Sequence, residues 1–196
     1  MDKRNFKIID ARKEDATLIA RAVTMAIGEE ICRDLAGSGH TPGDVEAMFA
    51  ELAAMVDSQY SYRNAVVAID DDGNVAGICI GYDGASLHSL RERFFEAYSR
   101  RFGRDMRGVT DETTPDEYYI DTLAVFPHYR GCGIGSDLLL AQAARGHAIG
   151  KPAGLLVDKA NPKAEALYIR CGFTYAGERP FAGVVMNHLT LEPTHD

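Results

Sequence analysis

A glycine-rich segment between a predicted strand and a predicted helix constrains this chain more than any other feature. Residues 118–126 are predicted to form a strand and residues 134–148 a helix, with a loop at 127–133. The segment around this loop reads Arg130-Gly131-Cys132-Gly133-Ile134-Gly135-Ser136. Glycines let the backbone approach a ligand closely, and the first amides of a helix attract phosphate oxygens. The segment therefore predicts a pyrophosphate site, unless its glycines only allow the strand and helix to pack closely.

The spacing of these glycines argues against two common nucleotide-binding motifs. A Walker loop ends in Gly-Lys-Ser or Gly-Lys-Thr, which this loop lacks. A dinucleotide fingerprint needs Gly-x-Gly-x-x-Gly at a first strand-to-helix turn, whereas Gly131, Gly133 and Gly135 alternate late in the chain. The sequence therefore disfavours an ATPase, a GTPase and a Rossmann-type dinucleotide site.

The strand before the loop carries an irregular apolar pattern. Alternation holds from Leu123 to Val125 and breaks between Ile120 and Leu123. A β-bulge near Thr122 would restore the facing of these side chains. Such a bulge splays a strand from its neighbour and leaves backbone groups for an amide-bearing ligand. A strand buried on both faces would need no bulge, and the pattern alone leaves both interpretations open.

A third feature, at residues 161–173, has the signals of a short helix at both ends. Asn161 is a favourable N-cap, Pro162 suits the first helical position, and Gly172 suits the end. One face of the helix carries Ala164, Leu167, Tyr168 and Cys171. Taken alone, this segment predicts a capped helix packed on the core.

Taken in order, these three features resemble the GCN5-related N-acetyltransferase (GNAT) superfamily. The family glycine motif is matched by Arg130, Gly133 and Gly135. The family strand ending is matched by Leu123-Ala124-Val125-Phe126-Pro127. The later family motif is matched by Asn161, Ala164, Leu167, Tyr168, Gly172 and Phe173. The resemblance implies an α/β fold with a mixed, mostly antiparallel sheet of about six to seven strands. It also implies helices on both faces and a splayed central strand pair.

The resemblance implies acetyl-CoA as the acyl donor and no metal. Backbone groups of the strand would pair with the pantetheine arm, and the loop amides would hold the pyrophosphate. The implied cofactor-binding residues are Leu123, Ala124, Val125, Arg130, Gly131, Cys132, Gly133, Ile134, Gly135, Ser136, Asn161, Ala164 and Tyr168.

The implied chemistry is direct transfer of an acetyl group to a primary amine. Tyr168 would give a proton to the leaving thiolate, and the Val125 amide would stabilise the oxyanion. Glu117 and Asp121 are the expected bases, unless they are ordinary solvated or hydrogen-bonded carboxylates. His128 is expected to be a surface residue. A non-catalytic CoA-binding sensor or interaction module is the alternative, and a longer acyl group is a third hypothesis.

The acceptor is expected to be a small-molecule or peptide amine. Acidic residues in the early helical region, Glu29, Glu30 and Asp34, would attract a cation weakly. Residues 83–117 exceed a simple connection and contain a predicted helix at 87–102. We expect this insert to line the acceptor pocket or a homodimer surface.

The remaining sequence predicts one domain over residues 1–196. It predicts a strand at 6–9, helices at 13–27 and 29–35 and after Thr41, and a hairpin over 64–82. The net charge of −8 argues against a nucleic-acid partner, and no apolar run suits a membrane span. The start of the chain lacks a signal-like apolar stretch, so we expect a cytoplasmic protein. The four separated cysteines indicate reduced thiols.

Overall fold

The computed structural model describes residues 5–193, and its centre is a seven-stranded sheet. The strands are β1 (Lys7–Asp10), β2 (Ala65–Ile69), β3 (Val75–Asp83), β4 (Tyr118–Val125), β5 (Ala153–Val157), β6 (Thr174–Phe181) and β7 (Val184–Leu191). Their order in the sheet is β1-β2-β3-β4-β5-β7-β6. Every neighbouring pair is antiparallel except β4 and β5. The predicted mixed, mostly antiparallel sheet is confirmed.

Five α-helices accompany the sheet in the described part of the chain. They are α1 (Ala16–Ala36), α2 (Pro42–Ala53), α3 (Leu87–Phe102), α4 (Ile134–Ala148) and α5 (Pro162–Arg170). Gly28 interrupts α1 with φ 86° and ψ 165°, so α1 consists of two pieces, as the sequence predicts. The Thr41 hydroxyl accepts from the Asp44 amide, and the Asp44 carboxylate accepts from the Thr41 amide, which fixes the start of α2.

The two faces of the sheet carry separate cores. Helices α1, α2 and α3 cover one face, which we call the α1–α3 face, where Phe49 and Phe94 pack against Ile78 of β3. Helices α4 and α5 cover the opposite face, where Leu138 packs with Cys79 and Phe173. Adjacent β3 residues therefore enter different cores, as the two-residue repeat of a strand requires. Helices on both faces are confirmed.

A β-bulge interrupts the pairing of β3 with β4. Ile80 pairs with Thr122, but Gly81 pairs with Ile120, so Asp121 is the extra residue. The bulge expected near Thr122 is therefore present one residue earlier. It returns Leu123 and Val125 to the face that carries Ile120, and it places the Asp121 side chain on the α1–α3 face beside Tyr82.

The central strands β4 and β5 separate soon after they begin. They pair in parallel only at Tyr118 with Ala153 and Tyr119 with Gly154. Beyond these pairs the carboxyl-terminal half of β4 has no strand partner on that side. The splayed central pair is thus confirmed, and it opens a V-shaped gap in the sheet.

The last hairpin is longer than the sequence indicates. A strand is predicted over 173–176, whereas β6 runs from Thr174 to Phe181. The pairing with β7 extends it, and the polar and proline-containing second half is tolerated because β6 is the edge strand of the sheet. Within residues 5–193, no helix combines the length and apolar character that crossing a membrane requires.

Candidate functional site

A cleft of about 640 Å³ lies at the V-shaped gap. Its wall is formed by the end of β4, the glycine loop, the first turn of α4 and one side of α5, and Met25 and Ala26 of α1 complete it. Most of the predicted cofactor residues lie in this wall: Leu123, Ala124, Val125, Arg130, Gly131, Gly133, Ile134, Gly135, Ser136, Ala164 and Tyr168.

Two backbone positions of β4 face the gap. The Phe126 amide donates to the Ala76 carbonyl of β3 over 2.9 Å. Because hydrogen-bonded and non-hydrogen-bonded positions alternate in an antiparallel pair, Leu123 and Val125 direct their N–H and C=O groups away from β3. The Val125 carbonyl accepts from the Arg130 side chain over 3.1 Å. The Val125 amide is therefore directed into the gap as a donor.

The glycine loop presents free backbone amides to the same cleft. Gly131 and Gly133 adopt φ values of 80° and 86°, which favour glycine, and a Cβ on either would meet no heavy atom within 4 Å. Within residues 5–193, the amides of residues 131–133 have no hydrogen-bond partner, and the Ser136 amide already bonds the Gly133 carbonyl. Free amides at the start of the fifteen-residue α4 fit a pyrophosphate.

Gly135 differs from the other two loop glycines in its surroundings. A Cβ on Gly135 would lie 3.4 Å from the Leu167 side chain of α5 and 3.7 Å from Val125, which are ordinary van der Waals distances. Close packing of α4 against α5 and β4 therefore does not require glycine at this position.

Cationic side chains near the loop have separate positions. The Arg130 guanidinium is directed back to Val125 and lies 3.8 Å from the Met25 sulfur, so it ties the loop to β4 and α1. Lys163 and Arg170 of α5 also line the cleft and are exposed. The sequence motifs do not single out these two side chains, because lysine and arginine are common on helix surfaces.

Two predicted cofactor residues lie outside the cleft wall. The Asn161 side chain accepts from the Ala164 amide over 3.2 Å and caps α5. Cys132 is exposed at the outer side of the loop. Asn161 therefore caps the helix, and the Cys132 backbone amide is one of the loop amides without a hydrogen-bond partner within residues 5–193.

Tyr168 projects from α5 into the cleft. Its ring centroid lies 6.3 Å from that of Phe173, which supports it from the core. Burial, with a smaller contribution from Cys79, raises the pKa of Tyr168 to about 12. The hydroxyl is consequently protonated at neutral pH, which is the state a proton donor needs.

Glu117 lies in a closed hydrogen-bond network just before β4. One carboxylate oxygen accepts from Thr113 over 2.7 Å and Arg179 over 3.1 Å, and the other bonds His188 over 2.7 Å. A Cβ on Gly154 would lie 2.0 Å from this carboxylate, so the glycine makes room for it. Burial favours the neutral acid, but the bonds from His188 and Thr113 and the nearby positive charges outweigh it and lower the pKa of Glu117.

Asp121 has fewer and mostly longer hydrogen bonds than Glu117. Thr122 donates over 2.8 Å, whereas the Tyr82 hydroxyl and the Gln59 amide lie at 3.4 and 3.5 Å. Burial raises the pKa of Asp121 despite these hydrogen bonds and the more distant charge of Arg91. Of the two carboxylates that the sequence proposes as bases, Asp121 keeps acceptor capacity and Glu117 has its lone pairs engaged.

The insert contributes to the α1–α3 face of the sheet close to Asp121. Arg91 of α3 forms ion pairs with Glu112 and Asp111, and the Tyr82 hydroxyl donates to Glu112 over 2.9 Å. Gln59, Tyr82, Arg91, Arg179 and His188 were not found from the sequence. They lie outside the motifs and on several different segments of the chain, so no motif spacing linked them.

Several other predicted residues lie at the surface. His128 is exposed in the loop after β4. Glu29, Glu30 and Asp34 are exposed on the second piece of α1, and Glu29 pairs with Arg33 over 2.7 Å. Among residues 5–193, no cluster of three or more His, Cys, Asp or Glu side chains is arranged to hold a metal ion.

The family model described as the acetyltransferase (GNAT) family matches residues 30–173. The chain belongs to this family. The matched region contains the glycine loop, α5, the insert and all of the cleft wall except Met25 and Ala26. The general activity of a GNAT domain is acetyl transfer from acetyl-CoA, which agrees with the resemblance of the three sequence motifs.

Solved structures with the same fold extend the GNAT match to nearly the whole chain. A protein described as an acetyltransferase is 31% identical, with 96% of this chain and 100% of that chain covered and a TM-score of 0.75. An N-acetyltransferase from Staphylococcus aureus Mu50 is 24% identical, with 94% and 100% covered and a TM-score of 0.74. The yncA protein from Salmonella typhimurium, solved with its cofactor acetyl-CoA, is 15% identical, with 98% and 96% covered and a TM-score of 0.55. No curated protein matches the chain significantly.

Proposed function

We propose that this GNAT protein is an N-acetyltransferase that moves an acetyl group from acetyl-CoA to a primary amine. The observation that carries the proposal is the cleft at the β4–β5 splay. There, the backbone of Leu123 and Val125 and the free loop amides face one space. An extended amide-bearing arm ending in a pyrophosphate has complementary groups for both features.

The cleft residues fit acetyl-CoA without a metal. Leu123 and Val125 would hold the pantetheine arm as a neighbouring strand would, and the amides of residues 131–135 would hold the pyrophosphate. Lys163 and Arg170 would add positive charge at the mouth of the cleft. When bound, the cofactor supplies an acetyl group activated as a thioester. The distant structural relative yncA was solved with this cofactor, which supports the proposal.

Three residues would carry the chemistry of direct transfer. Asp121 would take a proton from the acceptor's ammonium group, directly or through water, so that the amine becomes a nucleophile. The Val125 amide would donate a hydrogen bond to the oxygen that gains negative charge. Tyr168 would give its proton to the departing sulfur. Nothing in this scheme requires a nucleophilic cysteine.

We propose Asp121 rather than Glu117 as the base because of their different partners. Four groups bond Glu117, at 2.7, 2.7, 3.1 and 3.4 Å, and its pKa is lowered. Asp121 has one short partner and a raised pKa, which makes it a stronger base than an ordinary exposed aspartate. Glu117 would then stabilise the closed end of the V-shaped gap.

A binding assay combined with a turnover assay tests the function. We expect acetyl-CoA to raise the melting temperature, and a suitable amine to release free thiol from acetyl-CoA. Competition among acyl-CoAs would measure the preference for acetyl. No stabilisation by acetyl-CoA or CoA at millimolar concentration would refute the proposal. Stabilisation without thiol release from any amine would instead identify a CoA-binding module.

A further inference from the structure

Asp121 is the carboxylate without a cationic partner in a network where the neighbouring acids are paired. Glu112 pairs with Arg91, and Glu117 pairs with Arg179. Among the residues that the structure describes, Asp121 accepts only from neutral groups, at 2.8 to 3.5 Å. The α1–α3 face at the bulge therefore offers a single negative charge to a ligand.

Gln59 places a second acceptor beside this charge. Its side-chain nitrogen lies 3.5 Å from an Asp121 oxygen, and the residue is only 4% exposed. Within residues 5–193, the side-chain oxygen of Gln59 is buried and has no hydrogen-bond partner. A buried carbonyl oxygen without a donor costs free energy, so it complements a ligand that carries N–H groups. Together, Asp121 and Gln59 suit an ammonium group.

Aromatic rings contribute to the same face of the sheet. The Tyr82 hydroxyl lies 3.4 Å from an Asp121 oxygen, and the ring centroids of Tyr82 and Tyr119 are 5.8 Å apart. Tyr60 packs edge-on to Phe49 at 4.8 Å. Burial raises the pKa of Tyr60, Tyr82 and Tyr119, and the charge of Asp121 raises each further.

These rings define the surroundings of the ammonium site. Ring faces attract an ammonium group and exclude water around an apolar body. Asp121 and Tyr60 are each partly exposed.

We infer that Gln59 and Asp121 together hold the acceptor's amino group, and that the acceptor is a monoamine with an apolar or aromatic body. This inference rests on the proposed N-acetyltransferase function. A single unpaired carboxylate among aromatic rings matches one ammonium on an apolar body. A polyamine would leave its further charges facing tyrosines and paired acids.

A comparison of two probe amines tests the acceptor class. With saturating acetyl-CoA, we expect kcat/KM for 2-phenylethylamine to exceed that for spermidine by at least about tenfold, because desolvating a second ammonium without a partner is unfavourable. Equal or better use of spermidine overturns the inference. So does a protein that acetyl-CoA stabilises but that releases thiol with neither amine. A protein that acetyl-CoA does not stabilise refutes the proposed function itself.

A Gln59→Leu variant tests the residue. We expect its KM for 2-phenylethylamine to rise about tenfold, with kcat within about threefold and KM for acetyl-CoA unchanged, because only an amine contact is lost. A folded variant with the wild-type KM for amine overturns the role of Gln59. If Gln59→Leu does not fold, the shorter Gln59→Asn should show the same KM effect, and its absence is equally decisive. Asp72→Asn, in the exposed turn between β2 and β3, is the control.

Discussion

The cleft at the V-shaped gap and the α1–α3 face near Asp121 differ in the chemical groups that they present. The cleft presents backbone groups from a contiguous region, residues 123–136, with Tyr168 and Ala164 added from α5. The region around Asp121 presents side chains from Gln59 to His188, which the sheet and the insert bring together. Backbone recognition depends on local conformation, whereas side-chain recognition depends on tertiary contacts. Mutations should therefore affect the two regions in different ways.

The largest effect on turnover should come from Tyr168, on the cleft side of this comparison. Tyr168→Phe removes the proposed proton donor while keeping the ring in the cleft. We expect kcat to fall about 10³-fold, since general acid catalysis contributes about 10²–10⁴-fold. The Kd of acetyl-CoA, measured by titration, should change less than about threefold. A variant with wild-type kcat would remove Tyr168 from the mechanism.

On the α1–α3 face, substitution of Glu117 should mainly affect stability, whereas substitution of Asp121 should mainly affect activity. Glu117→Gln leaves Arg179 without its charge partner and should reduce the free energy of unfolding by about 3 kcal/mol. Asp121→Asn removes a desolvated charge, so the free energy of unfolding at pH 7 should not fall, while turnover falls about 10²-fold. Denaturant unfolding and thiol release measure the two effects. A strongly destabilised Asp121→Asn would show that this carboxylate is structural.

The two carboxylates should change the stability of the fold with pH in opposite directions. The folded-state pKa of Glu117 is below its ordinary value of 4.5, so its stabilising contribution is present above that pH and is lost as pH falls. The folded-state pKa of Asp121 is above its ordinary value of 3.8, so its contribution is lost as pH rises. As pH rises from about 3 to 7, the free energy of unfolding of Glu117→Gln should fall further below that of wild type. Over the same range, the free energy of unfolding of Asp121→Asn should increase relative to wild type. If urea unfolding showed both differences changing in the same direction with pH, these assignments would be contradicted.

A glycine pair tests whether the cleft relies on backbone conformation. Gly133→Ala places a side chain at φ 86° and should cost about 1 kcal/mol in the free energy of unfolding. We expect the Kd of acetyl-CoA to rise about tenfold because the loop amides are displaced. Gly150→Ala, at φ 73° after α4, has the same open surroundings and is the matched control. Equal changes in Kd for both variants would exclude a specific role for the loop.

The smallest effect should be at Cys132. Its side chain is exposed outside the cleft wall, so Cys132→Ser should change kcat and the Kd of acetyl-CoA by less than about twofold. Loss of thiol release in this variant would reveal a covalent step. Unchanged kinetics would show that position 132 serves through its backbone amide.

Much of the fold and of the cleft could be predicted from the sequence, for local reasons. The break in alternation between Ile120 and Leu123 predicts the bulge, because strand facing repeats every two residues. Gly131 and Gly133 predict a loop that a ligand can approach closely, and a Cβ on either would meet no heavy atom within 4 Å. The role of Asn161 as a helix cap also follows from its position before Pro162. Each of these features depends on a few adjacent residues.

The partners of the carboxylates could not be predicted. Glu117 meets His188, 71 positions away, only because β7 lies beside β5 in the sheet. Gln59 meets Asp121 across 62 positions because the chain after α2 returns to the bulge. Sequence spacing does not indicate contacts between such distant residues, so the sequence alone does not distinguish Glu117 from Asp121.

The sequence by itself determined the family, the glycine loop and the strand that we propose binds the cofactor. These depend on backbone conformation, which neighbouring residue types set directly. The tertiary structure decided which of the two acids has charged partners, which lacks them, and what surrounds the proposed site of the acceptor's amino group. Those properties depend on desolvation and charge pairing, and both arise only when distant segments pack together.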